Sequence, residues 1–215
     1  TNTADGTYAP ETYVMVEGGF YDGETVANDQ INTLSFPAIV SMIRPALARQ
    51  NYLPSQDPTQ ADLAIFVSWG TTRDTRDKPI AYPLIEKRNA QILGFQHDLQ
   101  RADDVPFASF AQDFYDEFRS GRYFVVLKAF DFPTLHRDQR LKVLWESRFS
   151  IRRQATNFTI ELPRMALEAA QTFGQPTHGI FRGKLHTGTV EIGESQVVEE
   201  DVAGINVHDE RETFA

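Results

Sequence analysis

The stretch from Arg122 to Arg153 reads RYFVVLKAFDFPTLHRDQRLKVLWESRFSIRR. Its first part, up to Asp131, is apolar almost without a break, as expected of a strand covered on both faces. Its last part alternates. Val143, Trp145, Phe149 and Ile151 share one parity and Glu146, Arg148 and Arg152 the other, the pattern of a half-buried strand. Between the two lies Pro133, which has no N–H to give a ladder, so the first strand should end before it. Two strands joined by a short polar connection read as an antiparallel hairpin. That hairpin excludes a helical bundle and makes a sheet the centre of the molecule.

Upstream, TYVMVEGGFY places Val14, Val16 and Phe20 on one parity and reads as a strand, with Gly18 and Gly19 marking a bulge or a close backbone approach. In LSFPAIVSMIRPALARQNY the apolar residues Phe36, Ile39, Val40, Ile43 and Leu47 recur at steps of three and four, one face of a helix. Pro37 suits its first turn and Asn51 a left-handed terminator. ADLAIFVSWG is a second strand, apolar throughout. Strand, helix, strand in this order gives two parallel strands joined by a crossover.

Between Thr71 and Asp104, TTRDTRDKP is a solvated loop by its alternating charges, and PLIEKRNAQILGFQHDLQ has helical composition around an internal Gly94. FASFAQDFYDEF repeats Phe107, Phe110, Ala111, Phe114, Tyr115 and Phe118 at helical spacing, a face that reads as core packing. Downstream of the hairpin, LPRMALEAAQTFG is a helix with Pro163 near its first turn and Gly174 past its end. Glycine-punctuated alternation from Lys184 to Val202 reads as one or two late strands.

These readings predict an α+β fold: a central mixed sheet of about five strands with a parallel βαβ start, an antiparallel hairpin and helices packed on the sheet. Residues 1–11 read as a flexible linker, 12–202 as a single domain with an insertion around 71–121, and 203–215 as a tail.

The chain has 215 residues, 16 of them Phe, and a formal net charge of −9. An acidic chain without a basic stripe argues against a nucleic-acid partner and against adhesion to anionic membranes. The absence of cysteine excludes disulfides, thiolate metal sites and a cysteine nucleophile within it. No apolar run reaches the length of a membrane-spanning helix. The start, TNTADGTYAPETY, is polar and small and reads as a linker left by removal of a signal segment, from which we expect an exported protein.

Chemistry is sparse. His136 and Asp138 fall in the connection of the hairpin, which by itself supplies neither an orienting partner nor exclusion of water. The other histidines, His97, His178, His186 and His208, lack zinc-protease spacing, and no loop has calcium spacing, so no metal site and no cofactor are expected. There is neither a phosphate-binding loop nor a Gly-x-Ser-x-Gly elbow. What remains is a cationic edge: Arg148, Arg152 and Arg153, with Lys128 opposite. These cover the solvent face of the hairpin and pair with Glu146 or nearby acids, or they hold an anion or an acidic partner. His136, Arg148 and Arg152 are therefore the candidate ligand-binding residues, and no catalytic residue is assigned.

Three pieces carry a resemblance: ALARQNYLP followed by QADLAIFVSWG; VVLKAFDFPTLHRDQRLKVLWESRF, with Asp131 ending one strand and Leu144–Trp145 in the next; and the closing LPRMALEAAQTFG. Together they resemble a family of uncharacterised bacterial envelope lipoprotein domains over about half the chain. The resemblance implies a periplasmic or outer-membrane-associated protein with a lipid anchor upstream of residue 1. It brings no catalytic residues. Two functional expectations follow. One is a non-enzymatic cell-envelope domain that binds a protein or cell-wall component. The alternative is a hydrolase or small anionic-ligand-binding protein using the 131–153 hairpin, with His136, Asp138, Arg148 and Arg152 in one cleft.

Overall fold

The computed structural model of the protein describes residues 9–23, 30–76, 83–104, 115–154, 156–177, 181–185, 188–194, 196–197 and 201–202. In chain order its elements are β1 (Glu11–Asp22), α1 (Phe36–Arg49), β2 (Tyr52–Pro54), β3 (Leu63–Thr71), α2 (Pro83–Leu93) and α3 (Gln96–Asp104). There follow β4 (Arg122–Asp131), α4 (Phe132–Asp138), β5 (Leu141–Arg152), α5 (Phe158–Ala169), β6 (Phe181–Leu185), β7 (Gly188–Ile192), β8 (Gln196–Val197) and β9 (Asp201–Val202). The fold is α+β, as the sequence predicts.

The sheet runs in the order β2-β1-β3-β4-β5-β7-β6, and β8 and β9 also pair with β5. β2 and β3 lie parallel to β1, and β3 through β7 pair antiparallel. The parallel start and the hairpin are both present. The sheet is larger than the five strands expected, because β2, β8 and β9 are two or three residues long, too short to show alternation.

One face carries the main core. α1 contributes Ile39, Ile43 and Leu47, α5 contributes Leu162, Met165 and Ala166, and the strands contribute Ile65, Val67, Val125 and Phe149. Burying each such large side chain contributes about 1.5–3 kcal/mol. Pro37 stands in the first turn of α1, and Asn51, at φ 61°, ends the turn beyond it. Helix α5 starts earlier than expected, at Phe158, where Asn157 Oδ1 accepts from Ile160 N at 3.2 Å. Pro163 is therefore inside this helix, not in its first turn. The cap was the stronger start signal, because an Asn side chain satisfies an otherwise orphaned N–H.

The opposite face is covered in two pieces. α2 and α3 bring Ala90, Leu93 and Phe95 onto Phe124 and Val126. At the other end α4 packs Phe132 and Leu135 near Ala64, Phe130 and Leu141. The break between α2 and α3 is Gly94, at φ 75°. Of the aromatic helix expected at 107–118, only the part from Tyr115 onward lies among the described residues; Phe118 there is fully buried and meets Tyr115 edge-on. Residues 1–8 and 203–215 lie outside the described residues.

Two bulges correct the parity readings. In β1 the pairing to β3 passes from Glu17↔Val67 to Gly19↔Ser68, leaving Gly18 extra. Val14 and Val16 thus face the α4 side, while Phe20 meets Trp69 on the main-core side. In β5 the pairing passes from Ala129↔Trp145 to Phe130↔Val143, leaving Leu144 extra. Val143 turns to the α4 side, whereas Trp145, Phe149 and Ile151 keep to the main core. An inserted residue flips every side chain beyond it.

The connection of the hairpin is a helix, not a loop. Asp131 Oδ1 accepts from Thr134 N at 2.8 Å, Pro133 stands in the first turn, and Gln139 at φ 52° ends it. Pro133 stops the strand as expected, and then starts a helix in which its missing N–H costs nothing.

Candidate functional site

Strand register gathers five charged side chains on the second face of the sheet. Arg182 of β6 stands opposite Glu191 of β7, and Glu191 opposite Ser150 of β5. Two residues along β5, Arg152 stands opposite Arg122, the first residue of β4. Glu117, from the helical residues 115–119, reaches the same place.

Arg122 is fully buried and makes four contacts. Nη1 donates to Glu117 Oε2 at 2.5 Å, Nε to Ser150 Oγ at 3.0 Å and Nη2 to the Ser150 carbonyl at 3.3 Å. Nη2 also stands 3.2 Å from Glu191 Oε2. Arg152 grips Glu117 with both ends of its fork, Nη2 to Oε1 at 2.6 Å and Nε to Oε2 at 3.2 Å. Arg182 Nε donates to Glu191 Oε1 at 3.1 Å. Burial explains this economy: a buried guanidinium or carboxylate is tolerated only when paired and hydrogen-bonded.

The two carboxyls differ electrostatically. Burial raises Glu117, but the hydrogen bonds from Arg152 and the charges of Arg122 and Arg152 outweigh it and hold the carboxyl below its usual range. Burial also raises Glu191, the neighbouring Glu117 charge adds to it, and Arg122 and Arg182 only partly offset them, so its carboxyl sits above the usual range.

The group lines a cleft of about 340 Å³, the scale of a small-molecule site. The side chains of Arg152 and Arg182 are 51% and 50% exposed, against 1% for Arg122. Gln154, Thr156 and Thr189 add amide and hydroxyl groups. A second cleft of about 220 Å³ shares Arg152 and adds Arg76, Arg119 and Asp116.

All four carboxylate oxygens face guanidiniums, so the site presents arginine to a ligand and withholds its acids. Among the described residues that line the cleft, three guanidiniums against two carboxylates leave a surplus of one positive charge. Such an arrangement holds a carboxylate or phosphate, which an arginine fork matches in shape and charge.

Of the expected site residues, only Arg152 lies here. Arg148 pairs with Glu146 at 2.5 Å, with Lys128 3.5 Å from the same carboxylate; the pairing expected of the cationic edge is present, but under cover instead of on a solvent face, since these side chains are only 13–20% exposed. His136 is exposed on α4 and stacks on Phe132, centroids 5.5 Å apart and planes 11° from parallel. Asp138 ends the same helix, exposed. Arg153 bonds through its backbone N–H to the Gly121 carbonyl at 2.9 Å. His136 and Asp138 lie at the start of β5 and Arg152 at its far end, roughly 35 Å of strand away. The four-residue cleft expected on the hairpin does not form.

Glu117, Arg122, Arg182 and Glu191 were not singled out in the sequence. The one usable signal was Arg122, a cation opening a strand that is apolar from Tyr123 to Leu127. Among the described residues, no three His, Asp or Glu side chains group as a metal site, and no helix is long and apolar enough to cross a membrane. No family model matches the chain, and no curated protein matches it. The resemblance to envelope lipoprotein domains thus rests on the sequence patterns alone.

Proposed function

We propose that the protein is a non-enzymatic cell-envelope domain that binds a small hydrophilic acid, or the acidic group of a cell-wall component, in the cleft between Arg152 and Arg182. The observation that carries this reading is the division of labour among the arginines. Arg122 is wholly enclosed and organises the acids, while Arg152 and Arg182 each anchor on one carboxylate and keep half their surface in the cleft. Among the described residues, Arg152 Nη1 and both terminal nitrogens of Arg182 have no hydrogen-bond acceptor and remain as donors for a ligand. A single apolar side chain, Ile151, lines the cleft, which disfavours a greasy ligand. Acid–base catalysis is the weaker reading, because a catalytic carboxyl must reach the substrate and these two are committed to guanidiniums.

The test is calorimetric titration with sulfate, citrate and an N-acetylated dipeptide at constant ionic strength, with chloride as reference. At least one is expected to bind saturably. The double variant Arg152→Gln, Arg182→Gln is expected to lose that binding while keeping its circular dichroism. Equal responses to all anions and chloride would refute the cleft as a site. Cell-envelope location, which rests on the polar start and the resemblance, is checked by fractionating cells that express the full-length protein; a wholly cytosolic product would remove it.

A further inference from the structure

We propose that anion binding in this cleft is coupled to the uptake of one proton by Glu191, so that the site holds its anion in acid and releases it as the medium turns alkaline. This rests on the cleft reading above and adds its regulation.

The geometry sets up the coupling. Arg122 bridges two acids, Nη1 on Glu117 and Nη2 beside Glu191, inside the fold. Glu191 is 3% exposed, and its Oε2 accepts no hydrogen bond although Arg122 Nη2 stands 3.2 Å away. Its other oxygen depends on Arg182, one of the two arginines the ligand would engage. An arriving anion adds negative charge to a group of three positive against two negative, one unit for a carboxylate and two for sulfate, and draws Arg182 toward itself. A proton on Glu191 cancels one unit of it. The proton comes from solvent, an O–H bond forms on the Glu191 carboxyl, and no ligand bond breaks. The new O–H has an acceptor at hand, since Glu191 and Glu117 are close enough to hydrogen-bond once one is protonated.

The surroundings single out Glu191. Glu117 accepts three guanidinium hydrogen bonds, from Arg122 and Arg152, and is the worse proton acceptor. Facing Glu191 are Arg122 of β4, Ser150 and Arg152 of β5, Arg182 of β6 and Glu117. Asp98 of α3 acts on Arg182 from the side and is itself raised by burial; it is the competing acceptor to exclude. Burial and the Glu117 charge raise Glu191 toward neutral pH, the direction the coupling needs. By linkage, a ligand that favours the protonated form binds more tightly as pH falls, by up to about tenfold per pH unit for one proton.

Sulfate is the probe, because its own ionisation lies far below the working range. Its binding to the wild type is measured by calorimetry between about pH 5 and pH 8 in two buffers of different ionisation enthalpy. Expected are proton uptake approaching one per sulfate and an affinity that weakens as pH rises. Glu191→Gln, which mimics the protonated acid, is expected to bind sulfate with no uptake and no pH dependence. Asp98→Asn is expected to behave as wild type. Sulfate binding with no proton uptake overturns the coupling and leaves the cleft reading standing; no sulfate binding at any pH overturns the coupling, and the cleft reading falls with it only if citrate and the dipeptide also fail to bind. Loss of uptake in Asp98→Asn overturns the assignment to Glu191. If Glu191→Gln does not fold, the two-buffer comparison on the wild type decides.

Discussion

Arg122 is the residue on which the site turns. It opens a strand, next to Tyr, Phe, Val and Leu at 123–127, and is as deeply buried as they are. Its guanidinium is acceptable there only because Glu117, Glu191 and Ser150 surround it. Removing it leaves two buried acids against fewer cations, and breaking a buried pair this way costs about 3–5 kcal/mol. Arg122→Met should therefore lower stability by that amount in urea denaturation, despite adding an apolar side chain to an apolar strand. Arg152→Gln, at a half-exposed position, should cost less, because Arg122 still holds the buried Glu117 carboxylate. Similar losses for the two would mean that Arg122 is not the organising group. The contrast also separates structure from recognition, since the cheap substitution is the one expected to abolish ligand binding.

At the scale of elements, the sequence disclosed what repetition could disclose. Helix α1 and strands β3, β4 and β5 each carry enough apolar residues at one period to be read directly. What stayed hidden were events one or two residues long. Gly18 was suspected as a bulge, yet its consequence for Phe20 was not drawn, and Leu144 gave no sign at all. Helix α4 spans seven residues, too few for periodicity, and only Asp131 two places before a proline marked it. The site was illegible for a related reason: its members come from four strands and one helical turn, and register across a sheet, not spacing along the chain, brings the four strand residues together. Local punctuation still has measurable weight. Asp131→Ala removes the bond to Thr134 N and should cost about 1 kcal/mol. Gly94→Ala should cost more, about 2 kcal/mol, because φ 75° disfavours any Cβ. That Cβ would also stand 3.2 Å from Arg148 Cδ, Glu194 N and Gly193 Cα. If both changes left the urea midpoint unaltered, the α2–α3 break and the α4 cap would be misplaced.

For the molecule as a whole, buried acids on both sides of the ordinary range shape stability against pH. Glu117 is held below the usual 4.5 of a glutamate, and Asp74 below the usual 3.8 of an aspartate, where burial raises it and the Arg76 and backbone hydrogen bonds outweigh that. Their stabilisation is complete above those ordinary values and is lost as pH falls through the lower folded ones. Glu191 and Asp98 are raised by burial, so the folded chain binds more protons than the unfolded chain once pH exceeds their ordinary values. Stability must then decline as pH climbs from there through their folded ones. The two trends meet in mild acid, and the melting temperature should peak there, below neutrality. Glu191→Gln removes one of the alkaline contributions, to which the burial-raised Glu11 also belongs, and should flatten the alkaline side of the curve. A melting profile that rises steadily to pH 8 in the wild type would show that Glu191 is ionised at no cost in the fold. The buried arginines would then more than balance both acids, contrary to the electrostatics on which proton-coupled anion binding depends.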